Sequence, residues 1–185
     1  YAPANPEWNK PNPPFRIIGN LYYVGASDVS AFLITTPEGH ILVDTGFRET
    51  APMVEASIAT LGFKLRDVRL LLPSHGHYDH VGGLARLKAD TGARVLTNAI
   101  EAPLLARGGT GDFAFGDTVP FPGVEADGIL RDGEQVRLGG VSVTAHVTPG
   151  HTMGCTTWTT DVVESGRTYH VVIPCSLSAP SYQLV

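Results

Sequence analysis

The chain has 185 residues, a formal net charge of −5 and 43% hydrophobic residues. This composition suits one globular domain with a substantial core, and it disfavours nucleic acid or an anionic membrane surface as a partner. No apolar run reaches the ~18–20 residues that a membrane helix needs, so we expect no membrane insertion. The opening sequence YAPANP is unlike a signal peptide, and we expect a processed mature end or a trimmed chain.

Short strands and one helix are predicted for the first part of the chain. Residues 1–14 are rich in Pro and Asn and predict an extended lead-in. Residues 50–61 carry apolar side chains at helical spacing and are followed by a glycine, which predicts a helix. Between these segments, turns rich in Gly, Asn and Pro separate predicted strands at 17–18, 21–24, 31–35 and 41–43.

Asp44 follows the strand at 41–43 and precedes a glycine turn. Its carboxylate could bind a metal directly, or it could accept hydrogen bonds and brace a neighbouring ligand loop. We favour the second role.

Three histidines and an aspartate lie within six residues after the next strand. Residues 68–73 form an apolar run typical of a buried strand, and residues 81–90 are predicted to form a helix. In α/β sheets, sites lie beyond the carboxyl ends of strands. The segment between this strand and this helix holds His75, His77, Asp79 and His80.

The spacing predicts a site for two divalent metal ions. His75 and His77 project to the same side of an extended segment, Asp79 continues that register, and His80 points elsewhere. One ion would bind His75, His77 and a distant histidine such as His151, while a second would bind Asp79 and His80. Two ions about 3.5–4 Å apart would hold a hydroxide between them. The alternative is a loop of solvated histidines without a metal.

The second half of the chain is predicted to contain a short helix, a long loop and several strands. The strands are 94–96, 135–138 and 141–147, the helix is 99–106, and the loop is 107–128. The aromatic residues of the loop could cover a substrate or simply pack. His40, His146 and His170 fall within strands, and we expect no role for them in the site.

The two cysteines flank a predicted hairpin. Residue 165 is the midpoint between Cys155 and Cys175, so in a symmetric antiparallel hairpin the two residues would face each other. We therefore predict a disulfide and an oxidising compartment. The alternatives are two reduced buried thiols, or Cys175 as a zinc ligand.

Four segments together resemble the metallo-β-lactamase superfamily, and most closely its subclass B3. The resemblance extends from residue 18 onward, and its segments are LVDTG (42–46), SHGHYDHVGG (74–83), TPGHTMGCTTWT (148–159) and CSLSAPSYQLV (175–185). The H-x-H-x-D-H pattern is shared with glyoxalase II, lactonases and nucleases, whereas the last two segments are more particular to B3. The resemblance implies an α/β fold, an αββα sandwich of two mixed β-sheets with outer helices, formed by a single domain over residues 1–185.

The resemblance also implies roles for individual residues. The zinc ligands would be His75, His77 and His151 for a first ion, and Asp79 and His80 for a second. Asp79 would also orient the attacking water in catalysis, and Asp44 would support the ligand loop. Ser176 and Ser178 would line the substrate pocket, with Ser178 near the substrate carboxylate; the alternative is that both are ordinary turn residues at a strand end.

The sequence departs from the family pattern at its end. The second zinc ion of the family takes a further histidine well beyond the SLSAP segment, so we expect either a fragment or a domain that lacks its C-terminal portion. Two zinc ions are expected, or one if that ligand is absent. The predicted function is hydrolysis of β-lactam antibiotics by a metal-bound hydroxide, in a periplasmic or secreted monomer. The alternatives are a superfamily thioesterase or lactonase, and an inactive zinc-binding domain.

Overall fold

The computed structural model describes residues 6–178. Seven strands form the first sheet, in which the spatial order follows the chain order. The pairs from β1 to β4 are antiparallel and those from β4 to β7 are parallel, so this sheet is mixed. The strands are β1 (Phe15–Ile18), β2 (Leu21–Tyr23), β3 (Phe32–Thr36), β4 (Gly39–Val43), β5 (Val68–Leu72), β6 (Arg94–Asn98) and β7 (Gly128–Leu130).

The second sheet has four strands in the order β11-β10-β9-β8, and every pair in it is antiparallel. This differs from the expectation of two mixed sheets. Two of the three connections are tight turns at 139–140 and 165–166. A parallel pair would need a crossover of a dozen or more residues. The strands are β8 (Gln135–Leu138), β9 (Val141–Val147), β10 (Thr156–Glu164) and β11 (Arg167–Ile173).

Helices cover one face of the first sheet. Leu33, Leu42 and Leu71 on that face pack with Ile58 of α1 and Leu87 of α3 in one buried cluster. None of the helices in residues 6–178 has the length and apolarity that a membrane span requires. The helices are α1 (Ala51–Thr60), α2 (Tyr78–Val81), α3 (Leu84–Thr91) and α4 (Glu101–Ala106), with a 3₁₀ turn at Leu65–Asp67.

The two sheets pack face to face through a second buried cluster. Alternate residues of β4 and β5, such as Ile41 and Leu70, point away from the helices and meet Val143 and Trp158 of the second sheet. The first sheet is therefore buried on both faces, which explains why β4 is hydrophobic at consecutive positions. The described residues form a helix layer and two sheet layers of the expected sandwich.

Several predicted elements end or begin elsewhere in the structure. The helix predicted at 81–90 begins at Leu84, and β7 was not predicted. Residues 6–9 of the predicted lead-in form a turn, and residues 1–5 lie outside the described range. The turn is held by hydrogen bonds to the segment at 27–28, because Ser27 and Asp28 donate to the carbonyls of Lys10 and Trp8.

Candidate metal centre

Residues 74–80, the ligand segment, follow the end of β5 and fold back against the turn that follows β4. The amide of Asp44 donates to the carbonyl of Leu72, and that of Thr45 donates to the carbonyl of His80 at 2.8 Å. The prediction that Asp79 continues an extended register is wrong, because Asp79 and His80 lie in the one-turn helix α2. This turn forms because the His77 carbonyl accepts the amides of His80 and Val81 at 2.9 and 3.0 Å.

His75, His77 and His151 lie together as a candidate metal site. Each offers a nitrogen atom, and these nitrogens lie within 4.8 Å of one another. His77 Nδ1 is 3.1 Å from His151 Nε2, and the ring centroids of His75 and His151 are 4.6 Å apart. His151 comes from the loop between β9 and β10, so the site joins segments from both sheets.

The lowered pKa values of His75 and His77 fit a metal site. Burial, followed by the charges of the neighbouring histidines, lowers the pKa of His75 well below its usual value. Burial also lowers the pKa of His77 to about 4, against the opposing charge of Asp112. His75 Nδ1 lies 3.0 Å from Ser74 Oγ, while the buried Nε2 of His75 has no hydrogen-bond partner among the described residues. Neutral imidazoles with a free nitrogen are the form that a divalent metal binds.

Asp79 and His80 lie next to this cluster. The His80 ring centroid is 4.0 Å from that of His75, and His80 Nε2 is 3.7 Å from an Asp79 carboxylate oxygen. The other ring nitrogen of His80, Nδ1, donates to Asp44 Oδ2 at 2.9 Å. Burial acts to lower the pKa of His80, but the charge and hydrogen bond of Asp44 and the charge of Asp79 raise it overall.

Asp44 also holds the start of the ligand segment. Its Oδ1 accepts the Ser74 amide at 2.7 Å and its Oδ2 accepts the Ser74 hydroxyl at 2.8 Å. Asp44 has a left-handed backbone with φ of 58°. These contacts place Asp44 behind the ligand segment, as the bracing role requires.

The long loop places two residues beside His77: Asp112, which the sequence did not single out, and Phe115, one of the loop's aromatic residues. Asp112 is buried, and its Oδ2 lies 3.7 Å from His77 Nε2. Its Oδ1 accepts the amides of Ala114 and Phe115. The Phe115 ring lies 4.9 Å from the His77 ring, whereas Phe121 of the same loop packs into the core. Phe115 therefore lies beside the candidate site, and Phe121 packs in the core.

Ser176 and Ser178 follow β11 on the side of His151. The Ser178 carbonyl lies 3.0 Å from His151 Nδ1, and the hydroxyl oxygens of Ser176 and Ser178 are 3.3 Å apart. The structure thus places the two serines beside the cluster. His146, His40 and His170 have other partners, which are Thr159, Phe63 and Asp161 respectively.

The cysteines are adjacent, but the hairpin register differs from the prediction. Glu164 pairs with Arg167, so the turn is Ser165–Gly166 and the alignment about residue 165 is wrong by one residue. Both turn residues have positive φ, which suits a two-residue hairpin loop. Cys155 and Cys175 lie beyond the paired residues and are placed as a bonded pair with Cα atoms 5.7 Å apart.

Glu101 and Asn98, at the start of α4 and the end of β6, were also missed by the sequence reasoning. Both are buried, and both hydrogen-bond to the loop that carries His151. Burial raises the pKa of Glu101, while hydrogen bonds from Thr152, Gly76 and Gly154 act in the opposite direction. A glutamate within a predicted helix gives no sequence signal that separates it from a surface residue.

A two-sheet sandwich with clustered histidines at one end defines a metal-dependent hydrolase fold. The model of the metallo-beta-lactamase superfamily matches residues 24–163, and the chain belongs to this superfamily. The superfamily fold implies a divalent metal, and the three histidines are its candidate ligands.

Solved structures of metallo-β-lactamases are similar to almost all of this chain. The native FEZ-1 metallo-β-lactamase from Legionella gormanii is 44% identical with a TM-score of 0.92, over 96% of this chain and 69% of that one. BJP-1, a subclass B3 metallo-β-lactamase of Bradyrhizobium japonicum, is 36% identical with a TM-score of 0.90, over 98% and 69%.

Curated relatives match a shorter part of the chain. A hydroxyacylglutathione hydrolase of Methylobacterium nodulans is 37% identical over 101 residues, which are 55% of this chain and 31% of the relative. A metal-dependent hydrolase of Anaeromyxobacter is 38% identical, over 49% of this chain and 32% of the relative. The chain thus spans about a third of the length of these relatives.

Proposed function

We propose that this chain is a zinc-dependent hydrolase that opens the β-lactam ring of antibiotics. The observation that carries the proposal is the meeting of His75, His77 and His151 within 4.8 Å, in a chain whose solved neighbours are β-lactamases. The fold implies a metal-dependent hydrolase; the β-lactam substrate is the further step.

The proposed ligands are His75 Nε2, His77 Nδ1 and His151 Nε2 for a first zinc ion, and Asp79 and His80 for a second. The first set fits because the nitrogen of His75 is buried without a partner and that of His77 faces His151. We propose two zinc ions, or a single ion if the further histidine ligand of the second ion is absent. Zinc bound there would lower the pKa of a coordinated water towards neutrality and would polarise the lactam carbonyl.

The protein side chains supply orientation and proton handling around that chemistry. Asp79 is partly exposed beside His80, so its carboxylate can accept a hydrogen bond from the attacking water and orient it. Asp44 holds His80 Nδ1 and Asp112 faces His77 Nε2, which leaves the opposite nitrogens of both rings for a metal. The Phe115 ring meets the His77 ring edge to face at 4.9 Å and so borders the proposed site.

Ser176 and Ser178 are proposed to bind substrate. Their hydroxyl groups lie beside His151 and can donate to a carboxylate, which bicyclic β-lactam antibiotics carry next to the ring nitrogen. The Ser178 carbonyl additionally accepts from His151 Nδ1, so the same residue orients the ring.

The first test is carbapenem hydrolysis followed by absorbance, with added zinc and again after chelation. We expect zinc-dependent turnover, and we expect His77→Ala to lose most of it because the first site loses a ligand. His170→Ala is the matched control, since His170 is an exposed histidine of β11 that pairs with Asp161 of β10. Full activity in His77→Ala would refute the ligand assignment.

A second candidate is a thioesterase of the same superfamily. It is favoured by the similarity to a hydroxyacylglutathione hydrolase over 55% of the chain. Thioester turnover without β-lactam turnover under the same zinc conditions would replace the first proposal with this one. Zinc binding without turnover of either substrate would indicate an inactive zinc-binding domain.

We also propose that the protein is a periplasmic or secreted monomer with a Cys155–Cys175 disulfide. The adjacency of the two cysteines supports this, because such pairs persist in oxidising compartments. Cell fractionation with detection of the protein in the periplasmic or culture fraction tests the location.

A further inference from the structure

Glu101 lies between the two segments that carry the proposed ligands of the first metal. Its side chain is 2% exposed. Oε2 accepts the amide of Gly76, the residue between His75 and His77, at 2.8 Å. Oε1 accepts the Thr152 hydroxyl at 2.6 Å and the Gly154 amide at 3.1 Å. One carboxylate therefore holds both ligand segments, one with each oxygen.

The two glycines show how closely the segments approach this carboxylate. A Cβ added to Gly76 would lie 2.8 Å from Glu101 Oε2, and one added to Gly154 would lie 2.7 Å from Glu101 Cγ. Neither position has space for a side chain. The backbone of each segment thus contacts the carboxylate directly, which explains a glycine at both places.

The carboxylate is itself held firmly. Asn98 Oδ1 accepts the amide of Glu101 at 3.0 Å, which fixes the start of α4 to the end of β6. The Asn98 side-chain amide donates to the Gly154 carbonyl and to Thr156 Oγ1. Gly154 is therefore bound at its amide by Glu101 and at its carbonyl by Asn98.

We propose that Glu101 is a positioning residue that sets the separation between His151 and the His75–His77 pair. All three donors to the carboxylate come from the ligand segments, so its oxygens are fully hydrogen-bonded only when both segments are in place. The proposal rests on the proposed function, in that these histidines bind zinc. It assigns Glu101 no contact with substrate or metal.

The test is the zinc affinity of Glu101→Gln, measured by competition with a chromophoric chelator. Glutamine keeps the shape but replaces one accepting oxygen with an NH₂ group, which faces either the Gly76 amide or the donors of the His151 loop. One segment is then released, and we expect zinc binding to weaken by about 10- to 100-fold, the range typical of residues that support metal ligands.

A double-mutant cycle separates coupling from a general loss of stability. Thr152→Val removes one donor to Glu101, and we expect it to weaken zinc binding on its own and to add little to Glu101→Gln. Thr152→Val also provides the measurement if Glu101→Gln does not fold. Ile58→Val in α1 is the control, because it lowers stability in the helix-facing core without contacting the site.

The proposal is overturned if Glu101→Gln and Thr152→Val bind zinc as the unmodified protein does, or if Ile58→Val weakens binding equally. It is also overturned if the unmodified protein binds no zinc. Absence of β-lactam turnover is a different result. If zinc binding still depends on Glu101 and Thr152, the proposed substrate fails and the positioning role of Glu101 stands.

Discussion

Replacing Asp44 with asparagine should weaken the binding of the second proposed metal ion and leave the first bound. Asp44 Oδ2 accepts from His80 Nδ1, so the lone pair on His80 is carried by Nε2, the nitrogen that faces Asp79. Asparagine offers an NH₂ group in place of Oδ2. His80 must then accept at Nδ1 and carry its proton on Nε2, where a protonated nitrogen cannot bind a metal. Asparagine tolerates the left-handed backbone at this position, so no strain is added.

The magnitude follows from the three hydrogen bonds of Asp44. The bond from the Ser74 amide to Oδ1 is retained in Asp44→Asn, and the Ser74 hydroxyl can rotate. The charged bond from His80 is replaced by a neutral one from the asparagine NH₂ group, which should lower the free energy of unfolding of the metal-free protein by about 1 kcal/mol. Affinity for the second ion should fall by about 10- to 100-fold, since Asp44 supports the ligand without binding the metal.

The assay is zinc content after dialysis, together with competition titration to resolve the two affinities. Asp161→Asn is the matched control, because Asp161 also pairs with a histidine Nδ1, that of His170, but on the exposed face of the second sheet. We expect the control to bind zinc as the unmodified protein does. An Asp44→Asn protein with unchanged zinc content and unchanged affinities would refute the tautomer argument.

Three further outcomes are expected. Trp158→Ala should lower the free energy of unfolding in urea by about 3–5 kcal/mol, because Trp158 is fully buried between the sheets. Non-reducing mass spectrometry should show Cys155 and Cys175 linked, and replacing both with alanine should cost about 3 kcal/mol from the loop-closure relation. The hydrogen bond from Lys88 lowers the pKa of Asp127. The stabilisation that ionised Asp127 contributes is therefore fully present above the usual pKa range of aspartate, and it is lost as the pH falls through the folded-state pKa. Asp127→Asn should therefore cost less than about 1 kcal/mol at neutral pH, because the pair is partly exposed, and nothing in strong acid.

Each of these expectations has a clear contrary result. A Trp158→Ala loss below about 1 kcal/mol would mean that the sheets do not pack as described. Alkylation of both cysteines without prior reduction would rule out the disulfide. An Asp127→Asn protein that is equally destabilised at neutral and at acid pH would show that charge is not the cause.

The sequence predicted the ligand cluster and several strands, because these features depend on the types and spacing of residues that are close in the chain. The H-x-H-x-D-H spacing placed four ligand candidates after a buried strand, and the structure brings His75 and His77 together there with His151. The period-2 pattern of residues 141–147 predicted β9 with its observed bounds. Such patterns are local, since they depend on residues that are close in the chain.

The parts that the sequence did not predict depend on contacts between distant segments. Glu101 contacts Gly76 and Gly154, which are 25 and 53 residues away. The alternation of ligand residues predicts an extended segment through Asp79, whereas residues 78–81 form a helical turn whose first hydrogen bonds go to the His77 carbonyl. The hairpin register likewise depended on whether two or three residues form the turn, and the twist of the strands favours two.

The proposed first metal would take two ligands that follow the first sheet and one from within the second. Binding of the ion and docking of the sheets are therefore thermodynamically linked, because only the assembled sandwich presents all three nitrogens. An ion at 100 times its dissociation constant would add about 2.7 kcal/mol to the stability of the assembled state. Metal depletion would accordingly act on the whole domain as well as on its chemistry, since it would weaken the association of the two sheets and lower resistance to proteolysis.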